Sequence, residues 1–322
     1  HVVYPAWLTA RTLPGTASLT AGRGCVDGRV AAAPLHIFGV DDSTLIAALL
    51  VSVAACIALA CGLTRLAIVL ARRGWPAPIG LPTQLALAVA VTVTALGAPM
   101  GVVYAMPYSE ALFTALAVWA LVAMIERRYL LAGALVLFAG LTRLTAVALI
   151  GALCVAAVVE LWRCRRSRSA PYPSPFPWSA VIAPVIGSLG IAGYLGWASY
   201  RTRADGGYFA VQDQGWNSSW DWFAATWDWL ANNTFVDSAA STDVAFAIAS
   251  WSMIAVAALV AASLRPLARR SMPWQPWLTA VLIAVIVLGS DGIMHARPRL
   301  LLLAVLLLML PAAIRAAAAT CG

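Results

Sequence analysis

The 322-residue sequence contains no lysine and only three histidines, and charged side chains occupy just 11% of its positions. Against 62% hydrophobic residues and a mean hydropathy of +0.86, so little charge excludes an ordinary soluble globule and indicates a polytopic membrane protein. Glycine-rich phosphate loops, nucleophile elbows and zinc-ligand spacings are missing too. The chain therefore has no conventional grip for a soluble nucleotide or a metal, and no cofactor is expected. The six cysteines show no ligand spacing, and Cys56, Cys61 and Cys154 lie in apolar runs, where a thiol acts as a small hydrophobe. No repeat of fixed period is present. The sequence starts at His1 with no charged leader before an apolar core, which leads to the expectation that it begins inside a longer protein.

What is present is arginine. A net charge of +8 would suggest nucleic acid in a soluble protein, but here the 21 basic residues, all arginine, cluster in short gaps between apolar runs. That is a topology signal, and no nucleic-acid partner is expected. Apolar stretches predict helices at roughly 44 to 71, 83 to 104, 109 to 125, 129 to 142, 144 to 161, 179 to 198, 244 to 264, 275 to 290 and 300 to 318. A span needs about 20 residues, so 129 to 142 is marginal. The expectation is an all-α polytopic membrane protein with eight or nine transmembrane helices in one membrane domain, residues 1–322.

Arginine-rich gaps follow the first, third, fifth and seventh runs, at Arg72–Arg73, Arg127–Arg128, Arg163–Arg168 and Arg265–Arg270. Assigning these to the cytoplasm leaves residues 1–43, the Tyr108 and Arg143 junctions, the loop 199–243 and the segment Asp291–Arg299 on the external face. The unusual polar residues thus share one side. In the large loop six aspartates face two arginines, and Trp216, Trp220, Phe223, Trp227 and Leu230 recur at helical spacing, with Ser218 and Asp221 placed to cap the start. This predicts a short amphipathic surface helix, its aromatics forming either an interfacial belt or a wall for stacking a sugar.

Three places carry candidate chemistry. Tyr108-Ser109-Glu110 opens an apolar run, with Ser109 placed to cap the helix and Glu110 at the positive end of its dipole, or free to bind a hydroxyl or a cation or to help orient a polar head group. Arg143 lies between apolar segments, where it snorkels to the interface, pairs with Glu110 or presents its fork to a phosphate. Near the C-terminus, Asp291, His295, Arg297 and Arg299 crowd a helix boundary, an expensive place for ionisable groups. Pro298 suits a first helical turn, so Arg297 and Arg299 together are expected to form an anion site, with Asp291 orienting either one. His295 either shuttles a proton or simply satisfies its neighbours.

Pro107-Tyr108-Ser109-Glu110-Ala111-Leu112-Phe113, Ala139-Gly140-Leu141-Thr142-Arg143 and His295-Ala296-Arg297-Pro298-Arg299-Leu300-Leu301 together resemble the PIG-V-like integral membrane mannosyltransferases, of the GT-C class of glycosyltransferases. Val3-Tyr4-Pro5 and Tyr208-Phe209-Ala210 with Trp216 add weaker likeness. The resemblance implies a GT-C-like fold and transfer of a sugar, mannose by the likeness, from a polyprenyl-phosphate donor to a lipid or glycan acceptor. The site would lie on the extracytoplasmic face of a bacterial plasma membrane, in contact with membrane lipids. Substrate-binding roles would fall to Tyr108, Ser109, Glu110, Arg143, His295, Arg297 and Arg299. The family's usual catalytic acid precedes the aromatic and proline segment, which would put it upstream of His1 and leaves the catalytic residue of this chain unassigned. The rival readings are a transporter or lipid flippase, with charges lining a path, and a noncatalytic membrane subunit.

Overall fold

The computed structural model describes residues 43–74, 80–97, 101–106, 108–167, 175–216, 219–235, 241–269 and 272–321. The expected segment 1–43 and the Tyr4-Pro5 likeness thus fall almost wholly outside the described residues. Twelve α-helices follow in order among the described residues: α1 Ser43–Gly74, α2 Leu81–Gly97, α3 Glu110–Ile125, α4 Tyr129–Thr142, α5 Val147–Ser167, α6 Trp178–Arg201, α7 Tyr208–Trp216, α8 Ala224–Asn233, α9 Ser241–Ala268, α10 Trp274–Leu288, α11 Arg297–Leu300 and α12 Leu302–Cys321. Short 3₁₀ turns join several of them, and the described residues contain no strand, only an isolated antiparallel bridge between Trp220 and Ser290.

The all-helical class expected from composition is what the chain adopts. Among the described residues, length and apolarity suffice for a membrane crossing in four helices, Ala47–Arg72, Leu144–Ser167, Trp178–Arg201 and Asp243–Ala268. A fifth exists if Met294–Leu300 and Leu302–Arg315, bent by 46° at their junction, form one span. The other apolar helices, Pro82–Ala95, Glu110–Ile125, Tyr129–Thr142 and Trp274–Leu288, are shorter. At 1.5 Å per residue Tyr129–Thr142 rises about 21 Å, less than the roughly 30 Å of a hydrocarbon core. Eight or nine crossings are therefore more than length alone supports.

Burial explains the arrangement. Helix α3 is apolar around its whole circumference and buries nearly all of its residues, the signature of a central helix. It packs on α1 and α4, while α4 lies along α6. The α4–α6 contact depends on missing side chains: a Cβ on Gly133 would come within 2.7 Å of the Ala183 carbonyl oxygen, and Gly190 approaches the backbone of Leu137 as closely. Small residues of this kind let helix backbones meet where lipid supplies no hydrophobic drive. One continuous apolar core links α1 to α6 with α9, α10 and α12.

Charged residues gather at opposite ends of α3. At its C-terminal end Glu126 takes Arg65 at 2.5 Å, and Glu160 takes Arg163 at 2.7 Å and the Tyr129 hydroxyl at 2.9 Å. Arg127 and Arg128, from the gap after the third run, and Arg163, from the gap after the fifth, thus share these two carboxylates with Arg65 of α1. The N-terminal end of α3 holds the candidate site.

Candidate functional site

Glu110 is the first residue of α3, and its side chain is only 6% exposed. A buried carboxylate must be paired. Arg143 supplies one partner. It stands between α4 and the 3₁₀ turn Leu144–Ala146 with extended backbone (φ −152°, ψ 141°), so the helical path breaks there, and its Nη1 reaches Glu110 Oε1 at 2.6 Å. Of the three roles open to Arg143, pairing with Glu110 is the one the structure displays. The second partner is Arg299, whose Nε lies 3.0 Å from the same Oε1. Its guanidinium also sits 5.4 Å from the centre of the exposed Tyr108 ring, and that of Arg143 lies 6.0 Å from the Phe113 ring. Arg299 is the more accessible cation, with 22% of its side chain exposed against 5% for Arg143. Two cations against one carboxylate leave the cluster net positive.

Ser109 occupies the N-cap position of α3, but its side chain makes no capping bond; only its carbonyl accepts, from the Phe113 N–H at 2.8 Å. The cause is its backbone. With φ −74° and ψ −5° it is already helical, whereas a capping serine needs extended backbone to swing its hydroxyl over the first turn.

The C-terminal cluster separates into distinct jobs. Arg297 and Arg299 do not act as a pair: two residues apart on a helix, their side chains diverge by about 200°. Arg299 turns to Glu110. Arg297, 2% exposed, donates to Thr226 Oγ1 of α8 and to the Ser290 carbonyl, with Met253 Sδ of α9 at 3.9 Å. Thr226 passes the chain on to the Leu288 carbonyl at 2.5 Å. Asp291 orients neither arginine by direct contact; it accepts from the Ser219 N–H and from the Ser219 hydroxyl at 3.1 Å. His295 is exposed and its ring packs on Phe246 of α9, with 6.3 Å between ring centres. Arg297 and Asp291 thus fasten Thr226 and Ser219 to the α10–α11 turn, His295 lies against α9, and of the two arginines only Arg299 joins the Glu110 cluster.

That fastening also reshapes the aromatic loop. Instead of one amphipathic helix from Trp216 to Leu230, α7 ends at Trp216 and α8 starts at Ala224. Backbone groups of residues 219–221 are spent on the turn, through Asp291 N–H to Ser219 O at 3.0 Å and Asp221 N–H to Gly289 O at 3.2 Å, so no helix can run through them. Trp222 and Phe223 then reverse the chain at positive φ, 58° and 71°. Asp221 does cap as expected, its Oδ2 accepting from the Ala225 N–H at 2.6 Å; Ser218 lies outside the described residues. Arg297→Met is expected to cost about 1.5–3 kcal/mol, the worth of buried bonds to a charged donor. Limited chymotrypsin digestion checks it: cuts at residues 220–223 should speed up, and an unchanged cleavage rate would show that Arg297 does not hold this segment.

Beside the cluster opens a cavity of about 170 Å³, lined by Arg143, Thr145, Tyr194, Tyr208, Gln212 and Leu300 among others. One water needs about 10–15 Å³ of such space, so the cavity takes a group of many atoms. A second void of about 10 Å³, lined by Glu110, Arg143, Thr145 and Arg299, connects the two in residues if not in size. Thr145 Oγ1, Gln212 Nε2 and Glu110 Oε2 are buried polar atoms with no hydrogen-bond partner among the described residues. Thr145 and Gln212 were not singled out from the sequence. Glutamine is scarce in this chain, which is a signal, but only the register of α7 separates Gln212 from the exposed Gln214.

Comparison with models of protein families, with curated proteins and with solved structures finds no match.

Proposed function

We propose that the protein is a membrane glycosyltransferase that takes a sugar, mannose by the sequence resemblance, from a polyprenyl-phosphate donor and passes it to a lipid or glycan acceptor. The observation that carries this reading is Glu110 Oε1 holding both Arg143 and Arg299 at the edge of the polar and aromatic cavity. A net positive, largely buried cluster among apolar helices suits an anion that arrives with a lipid tail. Arginine matches phosphate oxygens with two parallel bonds, and Arg299 is exposed enough to offer them.

In the reaction the bond between the sugar's anomeric carbon and the phosphate oxygen breaks, and its electron pair leaves with the lipid phosphate. The acceptor oxygen forms the new bond and gives its proton to a base. Arg143 and Arg299 would stabilise the charge growing on the phosphate, an effect largest where water is excluded. Glu110 would hold the two guanidiniums in place, and Tyr108 would flank Arg299. Ser109, His295 and Arg297 are left with structural work. The finer architecture belongs to the same reading: a GT-C-like bundle of eight or nine spans, the arginine-rich end of α3 in the cytoplasm, and the cluster on the extracytoplasmic face of a bacterial plasma membrane.

One observation favours transport instead. The 46° bend between α11 and α12 interrupts an apolar stretch next to two arginines, as broken helices do around transported ions. The experiment separating the two uses membranes expressing the full gene product and polyprenyl phosphate mannose labelled in the sugar. Label appearing in a new lipid or protein product supports transfer. Label that stays on intact donor, including donor moved across the bilayer, refutes it.

A further inference from the structure

The geometry points to a hexose subsite in the cavity between the α4–α5 junction, α6 and α7, with Gln212 and Thr145 reading the sugar's hydroxyl groups; it rests on the donor reading above. The cavity is built from both sides. The α4–α5 junction contributes Arg143 and Thr145, two residues apart across the break that ends α4. Facing them, α7 contributes Tyr208 and Gln212, one helical turn apart and hence on the same side of that helix. Helix α7 is set across this opening by a turn at Gly206 and Gly207, both at positive φ (87° and 89°), a conformation that side chains rarely adopt.

The polar atoms define the ligand class. Gln212 Nε2 and Thr145 Oγ1 are buried, belong to residues that line the cavity and have no hydrogen-bond partner among the described residues. Such groups are costly to desolvate unless something supplies the missing bonds. An amide N–H needs an acceptor and a threonine hydroxyl both gives and takes. A sugar hydroxyl answers both, whereas an aliphatic chain answers neither. Tyr194 and Tyr208 meet edge to face, their ring centres 6.0 Å apart, and supply the aromatic wall against which the apolar face of a pyranose rests. Arg143 borders this cavity and the Glu110 cluster alike, so a sugar held here keeps its anomeric phosphate beside the arginines.

The test compares the binding of two probes to the purified full-length protein in detergent: a short-chain isoprenyl phosphate carrying mannose and the same isoprenyl phosphate without sugar. The wild type should prefer the mannosylated probe by at least about tenfold, the discrimination expected when a buried polar group is otherwise left unpaired. Gln212→Ala and Thr145→Val should each lose about tenfold in affinity for the mannosylated probe and keep the sugar-free affinity, which also reports that each variant is folded. If Gln212→Ala does not fold, Thr145→Val decides. A wild type that binds both probes equally, or variants that retain the preference, would overturn the subsite while leaving the lipid-phosphate reading intact. A wild type that binds neither probe would overturn both.

Discussion

Arg299→Ala is expected to lower sugar transfer by about a hundredfold or more while leaving the protein's thermal unfolding midpoint nearly unchanged. Removing one donor that stabilises charge in a transition state costs about 10²–10³ in rate. Arg299 is the cation of the cluster best placed for that role: its side chain is 22% exposed and its Nε contact to Glu110 is a close ion pair without aligned hydrogen-bond geometry. Arg299→Lys should recover only part of the rate, since an ammonium cannot form two parallel bonds to phosphate. Initial rates of label transfer, normalised to protein in the membrane, make the measurement. A variant that transfers at the wild-type rate removes Arg299 from the site.

Glu110→Ala should be among the most destabilising single changes in the molecule, costing about 3–5 kcal/mol, because it strands the buried Arg143 without its counter-charge. The informative comparison is the pair. With Glu110→Ala and Arg143→Met combined, no buried charge is left alone, so the double variant should be more stable than Glu110→Ala. Glu126→Ala is the contrast: its partners Arg65 and Arg128 are exposed and can turn to water, so its cost should be about 1 kcal/mol or less. Unfolding midpoints in one detergent distinguish these outcomes. Equal losses at Glu110 and Glu126 would mean that the buried cluster is not what holds the end of α3.

Much of this was legible in the sequence, and the exceptions have physical causes. Helices α3 and α4 lie where uninterrupted apolar runs placed them, and the pairing of Arg143 with Glu110 was one of the roles the sequence allowed. Arg297 and Arg299 look alike on paper; their divergence follows from helical geometry over four residues, and the partner of each comes from a different part of the chain. The break at Leu301 was invisible because the segment from Leu300 to Ile314 is apolar throughout and hydropathy has nothing to register. The aromatic loop kept its helical spacing in sequence, yet the long-range bonds from Ser219 and Asp221 to the α10–α11 turn overrode it. Gln212 and Thr145 became visible only when two distant segments met around one cavity.

Photocrosslinking would locate the bound donor on the protein. A polyprenyl phosphate carrying a photoreactive mannose is irradiated with the protein in native membranes, and the modified residues are mapped by mass spectrometry. Labelling should fall within residues 140–145 and 208–212 and be competed by unmodified donor. Competable labelling confined to residues 219–235 or to the arginine-rich end of α3, with none around Arg143, would contradict a donor site at the Glu110, Arg143 and Arg299 cluster.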